Sequence, residues 1–137
     1  MEYLIGLVLA LAVAGFAAVT GFGRDRAFYP TVLIIVAHYY VLFAAIGASG
    51  RTLGIEIAVA SLFLLIAVLG LKRNLWLVAA AIAGHGVFDF FHHSFIENPG
   101  VPRWWPGFCM AFDVALGAYL GLRQYLAPRL NRTGSLA

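Results

Sequence analysis

Residues 75–105 read LWLVAAAIAGHGVFDFFHHSFIENPGVPRWW, an apolar run that carries four ionisable side chains before an Asn-Pro-Gly break. The apolar part covers 75–96, and about 17 to 25 apolar residues are needed to cross a hydrocarbon core of about 30 Å. Proline ends the run because it cannot donate to a helical hydrogen-bond ladder. The tryptophan pair that follows is typical of a membrane interface. The stretch therefore predicts a transmembrane helix with polar groups inside it.

The composition of the whole chain agrees with this prediction. Of 137 residues, 63% are hydrophobic and only 11% are charged, and the mean hydropathy is +0.92. These values exclude an ordinary soluble domain. We predict an all-α integral membrane bundle with one domain over 1–137. Its five transmembrane helices cover about 3–22, 31–48, 55–71, 75–96 and 106–121.

Local features of the sequence indicate how the first span, the third span and the end of the chain are arranged. Glu2 stands where a secretory signal would carry basic residues, so we interpret the first span as a retained helix. The stretch SGRTLG, residues 49–54, predicts a tight turn before the third span. Residues 122–137 are expected to form a cytoplasmic tail.

The basic residues predict the orientation, because short cytoplasmic loops collect lysine and arginine. One set of alternate loops holds seven of them, and the other set holds two. The seven are Arg24, Arg26, Lys72, Arg73, Arg123, Arg129 and Arg132. The two are Arg51 and Arg103. We therefore expect the N-terminus outside and the C-terminus in the cytoplasm, and we ascribe the net charge of +3 to topology rather than to nucleic-acid binding.

The motif H-x-x-x-D-x-x-H-H in the fourth span is the main candidate for chemistry. At 100° per residue, His85, Asp89 and His92 fall within about 60° of one another, and His93 lies off this stripe. Spacings of three and four let one helix offer several ligands to a metal ion. Ionisable groups inside a membrane are costly and are therefore candidates for function.

Depth in the membrane brings distant residues to the same level. Asp113 and Asp89 each lie about seven residues from the outer end of their spans, so they are expected to meet. His38, in the middle of the second span, matches the motif's first histidine in depth. Glu56 enters the third span near the level of His92. We predict a metal site made of His85, Asp89, His92, Asp113 and His38.

Three interpretations of this constellation remain open. Two carboxylates at one level must share a proton, pair with imidazolium or bind a cation. A divalent metal, zinc or iron above all, would suit the mixture of nitrogen and oxygen ligands. The alternatives are hydrogen bonds that hold the helices together and a proton relay.

The motif, followed by Asn-Pro and a later buried aspartate, resembles a family of small, uncharacterised bacterial integral membrane proteins. The resemblance covers mainly 84–120, with a weaker part in DRAFYPTVLIIVAHYYVLF, residues 25–43. It implies a multi-pass protein of the bacterial inner membrane and brings no established activity.

Our main functional hypothesis is a metal-dependent hydrolase, isomerase or oxidoreductase that acts on a small or lipid-like substrate from the outer side. His93 or Glu56 would then serve as the general base. The competing hypothesis is a proton-linked transporter or channel subunit, or a membrane assembly partner without catalysis. Five helices form only a thin wall, so transport predicts a homo-oligomer.

Overall fold

The described part of the chain, residues 1–133, folds into five long helices. A computed structural model describes residues 1–133, with side chains as far as Ala127. The helices are α1 Glu2–Thr20, α2 Phe28–Gly47, α3 Gly50–Lys72, α4 Leu75–Phe95 and α5 Trp105–Thr133, and a single 3-10 turn, Phe22–Arg24, follows α1. All five are long and apolar enough to cross a membrane. The predicted all-α bundle of five membrane-length helices is confirmed.

The predicted turn before the third span is wrong. Helix α3 begins at Gly50, because Ser49 caps it: its Oγ accepts a 3.2 Å hydrogen bond from the Thr52 amide. Residues 50–54 are therefore helical, where a tight turn was predicted. Helix α5 continues without interruption to Thr133, so residues 122–133 of the predicted tail extend the fifth helix. The last part of the predicted tail, 134–137, lies outside the described residues.

Contacts between loops and helix ends show that successive helices run antiparallel. The Thr52 hydroxyl donates to the Glu97 carbonyl, which joins the start of α3 to the end of α4. At the opposite end of the bundle, the Arg26 guanidinium donates to the Leu71 carbonyl, 2.9 Å from Nη2. We call the end where α1, α3 and α5 begin the N-terminal side and the other end the C-terminal side.

Small residues let α4 and α5 pack closely at the centre of the bundle. A Cβ atom added to Gly117 would lie 2.7 Å from the Ala79 carbonyl oxygen, and one added to Gly86 would lie 2.9 Å from the Asp113 Cβ. Neither position has room for a larger side chain. Close backbone approach through small residues is a usual packing mode of membrane helices. It brings the two helices together where their polar residues lie.

The outer helices pack unevenly around this pair. Helix α1 packs on α5, and α3 packs on α2 and α4, whereas α1 and α2 make little contact with each other. A groove therefore runs between α1 and α2, with α5 as its floor.

Candidate functional site

The predicted stripe of α4 faces the interior. His85 is 1% exposed, and Asp89 and His92 are fully buried. His93, which lies off the stripe, is exposed. The inward direction of the stripe, which the sequence left open, places three ionisable side chains in the protein core.

Two of these side chains meet Asp113 of α5 in a first group, which we call the His-Asp cluster: His85, Asp89 and Asp113. The His85 Nδ1 lies 2.7 Å from the Asp113 Oδ2 and 3.3 Å from the Asp89 Oδ2. One ligand atom from each residue lies within 4.8 Å of the other two. The predicted meeting of Asp89 and Asp113 across α4 and α5 is confirmed, and it follows from the close approach at Gly86.

The His-Asp cluster has more acceptors than donors. Both oxygens of Asp89 and the Oδ1 of Asp113 are buried and have no hydrogen-bond partner among the described residues. The Tyr40 hydroxyl and the Cys109 thiol lie beside the Asp89 carboxyl, but the Tyr40 hydroxyl also forms no regular hydrogen bond. Buried polar groups are nearly always satisfied in native proteins. This cluster therefore has capacity for a cation, protons or water.

A second group, the Glu-His-Asn cluster, consists of Glu56, His92 and Asn98. The Glu56 Oε1 lies 2.8 Å from the His92 Nε2 and accepts a 2.8 Å hydrogen bond from the Asn98 Nδ2. All three side chains are buried. The Asn98 amide also donates to the Tyr40 carbonyl, at 3.2 Å. This cluster joins α2, α3, α4 and the turn after α4 by ordinary hydrogen bonds.

Tyr40 lies between the two clusters. Its ring lies 4.1 Å from the His92 ring, at an interplanar angle of 30°, and 6.4 Å from the His85 ring. Its hydroxyl lies close enough to interact electrostatically with both Asp89 and Glu56. Tyr40 therefore lies next to both clusters, but its hydroxyl forms no hydrogen bond with either of them.

The remaining predicted site residues lie apart from the His-Asp cluster. His38 is exposed on α2, and its Nδ1 lies 2.7 Å from the Ile34 carbonyl oxygen of its own helix. His92, also predicted as a ligand, contacts Glu56 instead of the two aspartates. Glu56 lies at the level of His92, as predicted, and contacts it. His93 is exposed, and the described residues show no contact between it and Glu56.

Sequence reasoning missed Tyr40, Asn98 and Cys109. Tyr40 continues the spacing of the small or apolar residues Leu33, Ala37 and Ala44, all buried on α2. That spacing of three and four was the available signal for an inward-facing tyrosine. The sequence identified Asn98 only as a turn residue, because no adjacent residue in the sequence indicates that its side chain contacts α3.

Comparisons with known proteins identify no relative of this chain. No protein-family model, no curated protein and no solved structure matches this chain. The function of the protein is therefore inferred from the two clusters and their surroundings.

Proposed function

We propose that this protein binds a divalent metal ion inside the membrane through His85, Asp89 and Asp113. The observation that carries the proposal is the approach of the His85 Nδ1 to one oxygen of each aspartate, 3.3 Å from Asp89 Oδ2 and 2.7 Å from Asp113 Oδ2. Both Asp89 oxygens and the Asp113 Oδ1 are buried and have no hydrogen-bond partner among the described residues. Leaving such groups unsatisfied costs on the order of 1–3 kcal/mol each, and more when they are charged. A divalent cation would offset the charge of both aspartates at once.

The donor set also supports a metal. Bonds of zinc to imidazole nitrogen or carboxylate oxygen are about 2.0–2.2 Å long, so ligand atoms of one ion lie roughly 3–4 Å apart. The three ligand atoms already lie within 4.8 Å of one another, and only small side-chain movements are required. One nitrogen and two oxygen ligands suit zinc, iron or manganese better than copper(I).

The proposed activity is that of a metal-dependent hydrolase, isomerase or oxidoreductase with a lipid-like substrate. A bound metal would supply a Lewis acid or an activated water. Glu56 remains the proposed base, because His92 and Asn98 fix its Oε1 and Tyr40 lies between it and the His-Asp cluster. His93 stays a weaker proposal for this role, since its side chain is exposed.

We also propose that the N-terminal side faces outward from a bacterial inner membrane. The excess of basic residues near the C-terminal side supports this orientation. The resemblance to small bacterial membrane proteins supports the choice of membrane. Fusing a reporter that is active on only one side of the membrane to each terminus would test the orientation.

Elemental mass spectrometry on detergent-purified protein tests the metal site. We expect near-stoichiometric zinc, iron or manganese in the natural protein, and loss of that metal in Asp89→Asn. Glu97→Gln is the matched control, because Glu97 is an exposed carboxylate outside the cluster. Metal-free protein that cannot be loaded with any of these ions would overturn the proposal.

A proton-linked transporter is the second candidate, and Tyr40 is the observation that favours it. Together with this tyrosine, the two clusters provide a series of titratable groups from Asp113 to Glu56. Such series are typical of proton pathways in membrane proteins. In metal-free vesicles this candidate predicts a pH-driven proton flux that Glu56→Gln abolishes, whereas no flux above that of empty vesicles would exclude it.

A further inference from the structure

The groove between α1 and α2 has a volume of about 680 Å³. Its walls are almost wholly apolar, with Leu9 and Val13 on α1 and Val36 on α2. Phe108, Cys109 and Phe112 of α5 form the floor. Because α1 and α2 barely touch, the groove opens sideways, toward the hydrocarbon of the membrane.

The dimensions of the groove match one lipid chain. It extends from Met1 to Val13 along α1, which is about 18 Å at 1.5 Å per residue. Half of a hydrocarbon core is about 15 Å thick, so the groove reaches from one membrane surface to the middle. At roughly 30 Å³ per methylene, close to the volume of one water molecule, the cavity holds about 20 methylene groups.

The two ends of the groove differ in chemistry. Tyr39, Trp104 and Trp105 line it near the N-terminal side, and Arg103 precedes the tryptophan pair with an exposed side chain. Aromatic side chains of this kind prefer the headgroup layer of a membrane. The groove thus has a polar mouth at the surface and an apolar end in the middle, as a lipid does.

The floor of the groove touches the His-Asp cluster. Cys109 lines the groove, and its thiol lies beside the Asp89 carboxyl. It lies about four residues, or about 6 Å, below the start of α5. A chain in the groove would therefore pass the cluster within its first few carbons and would be separated from Asp89 by one small side chain.

We infer that this groove binds one hydrocarbon chain of a membrane lipid, whose polar end lies at the N-terminal side and whose upper carbons pass Cys109 next to Asp89. The binding of the chain stands on the groove alone. The further step, that such a lipid is the substrate of the His-Asp cluster, rests on the proposed metal-dependent function.

A photoreactive lipid tests the inference. The protein is reconstituted into vesicles of phosphatidylcholine with a diazirine on one acyl chain, and the labelled residues are mapped by mass spectrometry after illumination. We expect the labelling of α5 to be concentrated on Phe108, the floor residue that is only partly buried, because Cys109 and Phe112 are only 2% and 7% exposed. Labelling in proportion to exposure, strongest on outward residues such as Leu65, would overturn the inference.

Two variants of α1 provide the matched comparison. Leu9→Trp fills the groove and should reduce labelling of the floor to background, whereas Leu11→Trp should leave it unchanged, since Leu11 is 60% exposed and does not line the groove. Equal labelling of the floor in both variants would contradict the inference.

Metal content is measured on the same samples, so the two proposals can fail separately. Labelled but metal-free protein would keep the groove and remove the metal site. Metal-loaded protein without labelling of the floor would keep the metal site and remove the groove as a lipid-binding site.

Discussion

The His-Asp cluster and the Glu-His-Asn cluster are both buried, both contain carboxylate–imidazole contacts and both use α4, yet they differ in how well their carboxylate oxygens are paired. The Glu56 Oε1 has contacts with two neighbours, His92 and Asn98. Both Asp89 oxygens lack a hydrogen-bond partner among the described residues. A paired cluster holds helices together, whereas an unpaired one keeps ligand atoms available. We therefore assign architecture mainly to the former and ligand binding to the latter.

Breaking the paired cluster should have the largest effect. Glu56→Ala removes the common partner of His92 and Asn98 and leaves two buried polar side chains without it. At about 1–3 kcal/mol for each unsatisfied group, we expect a loss of about 2–5 kcal/mol in the free energy of unfolding. Denaturation of the purified protein in mixed micelles measures this value. Glu97→Ala, at an exposed position, should change it by less than about 0.5 kcal/mol; equal losses would contradict the assignment.

Separating α4 from α5 should have the next largest effect. Gly86→Ala places a Cβ 2.9 Å from the Asp113 Cβ and 3.0 Å from the Met110 carbonyl oxygen. Overpacking of this kind costs about 1–3 kcal/mol, and it should also weaken metal binding by moving Asp113. Gly84→Ala is the control, because no atom outside its own helix lies within 4 Å of the added group. A Gly86→Ala protein with unchanged melting temperature and metal content would disprove the close contact.

Removing the unpaired carboxylate should have a smaller effect on stability. In metal-free protein, Asp89→Asn replaces an acid whose oxygens have no hydrogen-bond partner among the described residues. We therefore expect the free energy of unfolding to change by no more than about 1 kcal/mol, and we expect a small gain rather than a loss. Thermal unfolding in the presence of a chelator measures it. A loss as large as that of Glu56→Ala would mean that Asp89 is a structural acceptor, and the contrast between the clusters would disappear.

The smallest effect is expected at His38. Its side chain is exposed, and its one contact is with the Ile34 carbonyl of the same helix. His38→Leu should therefore change the free energy of unfolding by less than about 0.5 kcal/mol and leave the metal content unchanged. His85→Leu, the contrasting variant, should lose the metal. Loss of metal in His38→Leu would place His38 at the site after all.

The sequence predicts the site where a single helix or a shared depth determines it. The spacing of His85, Asp89 and His92 fixes their common face, and the short connection between α4 and α5 makes these helices antiparallel neighbours. The meeting of Asp89 with Asp113 follows from these two facts.

The partners of His92 and the position of Tyr40 could not be predicted in the same way. They depend on how α2 and α3 are rotated about their axes. In a membrane protein this rotation leaves a weak sequence signal, because the lipid-facing side of a helix is as apolar as the buried side. Exposed Leu62 and Leu65 on α3 differ little in character from its buried residues Ala60 and Ala67. For the same reason the depth of His38 gave no information on its direction.

An anomalous-difference map from crystals of metal-loaded protein, measured at the absorption edge of the metal, would locate the ion in the bundle. We predict one strong peak about 2.0–2.2 Å from ligand atoms of His85, Asp89 and Asp113, and no peak at Glu56 and His92. Full loading with a peak at Glu56 and His92, or with no peak in the protein interior, would contradict it.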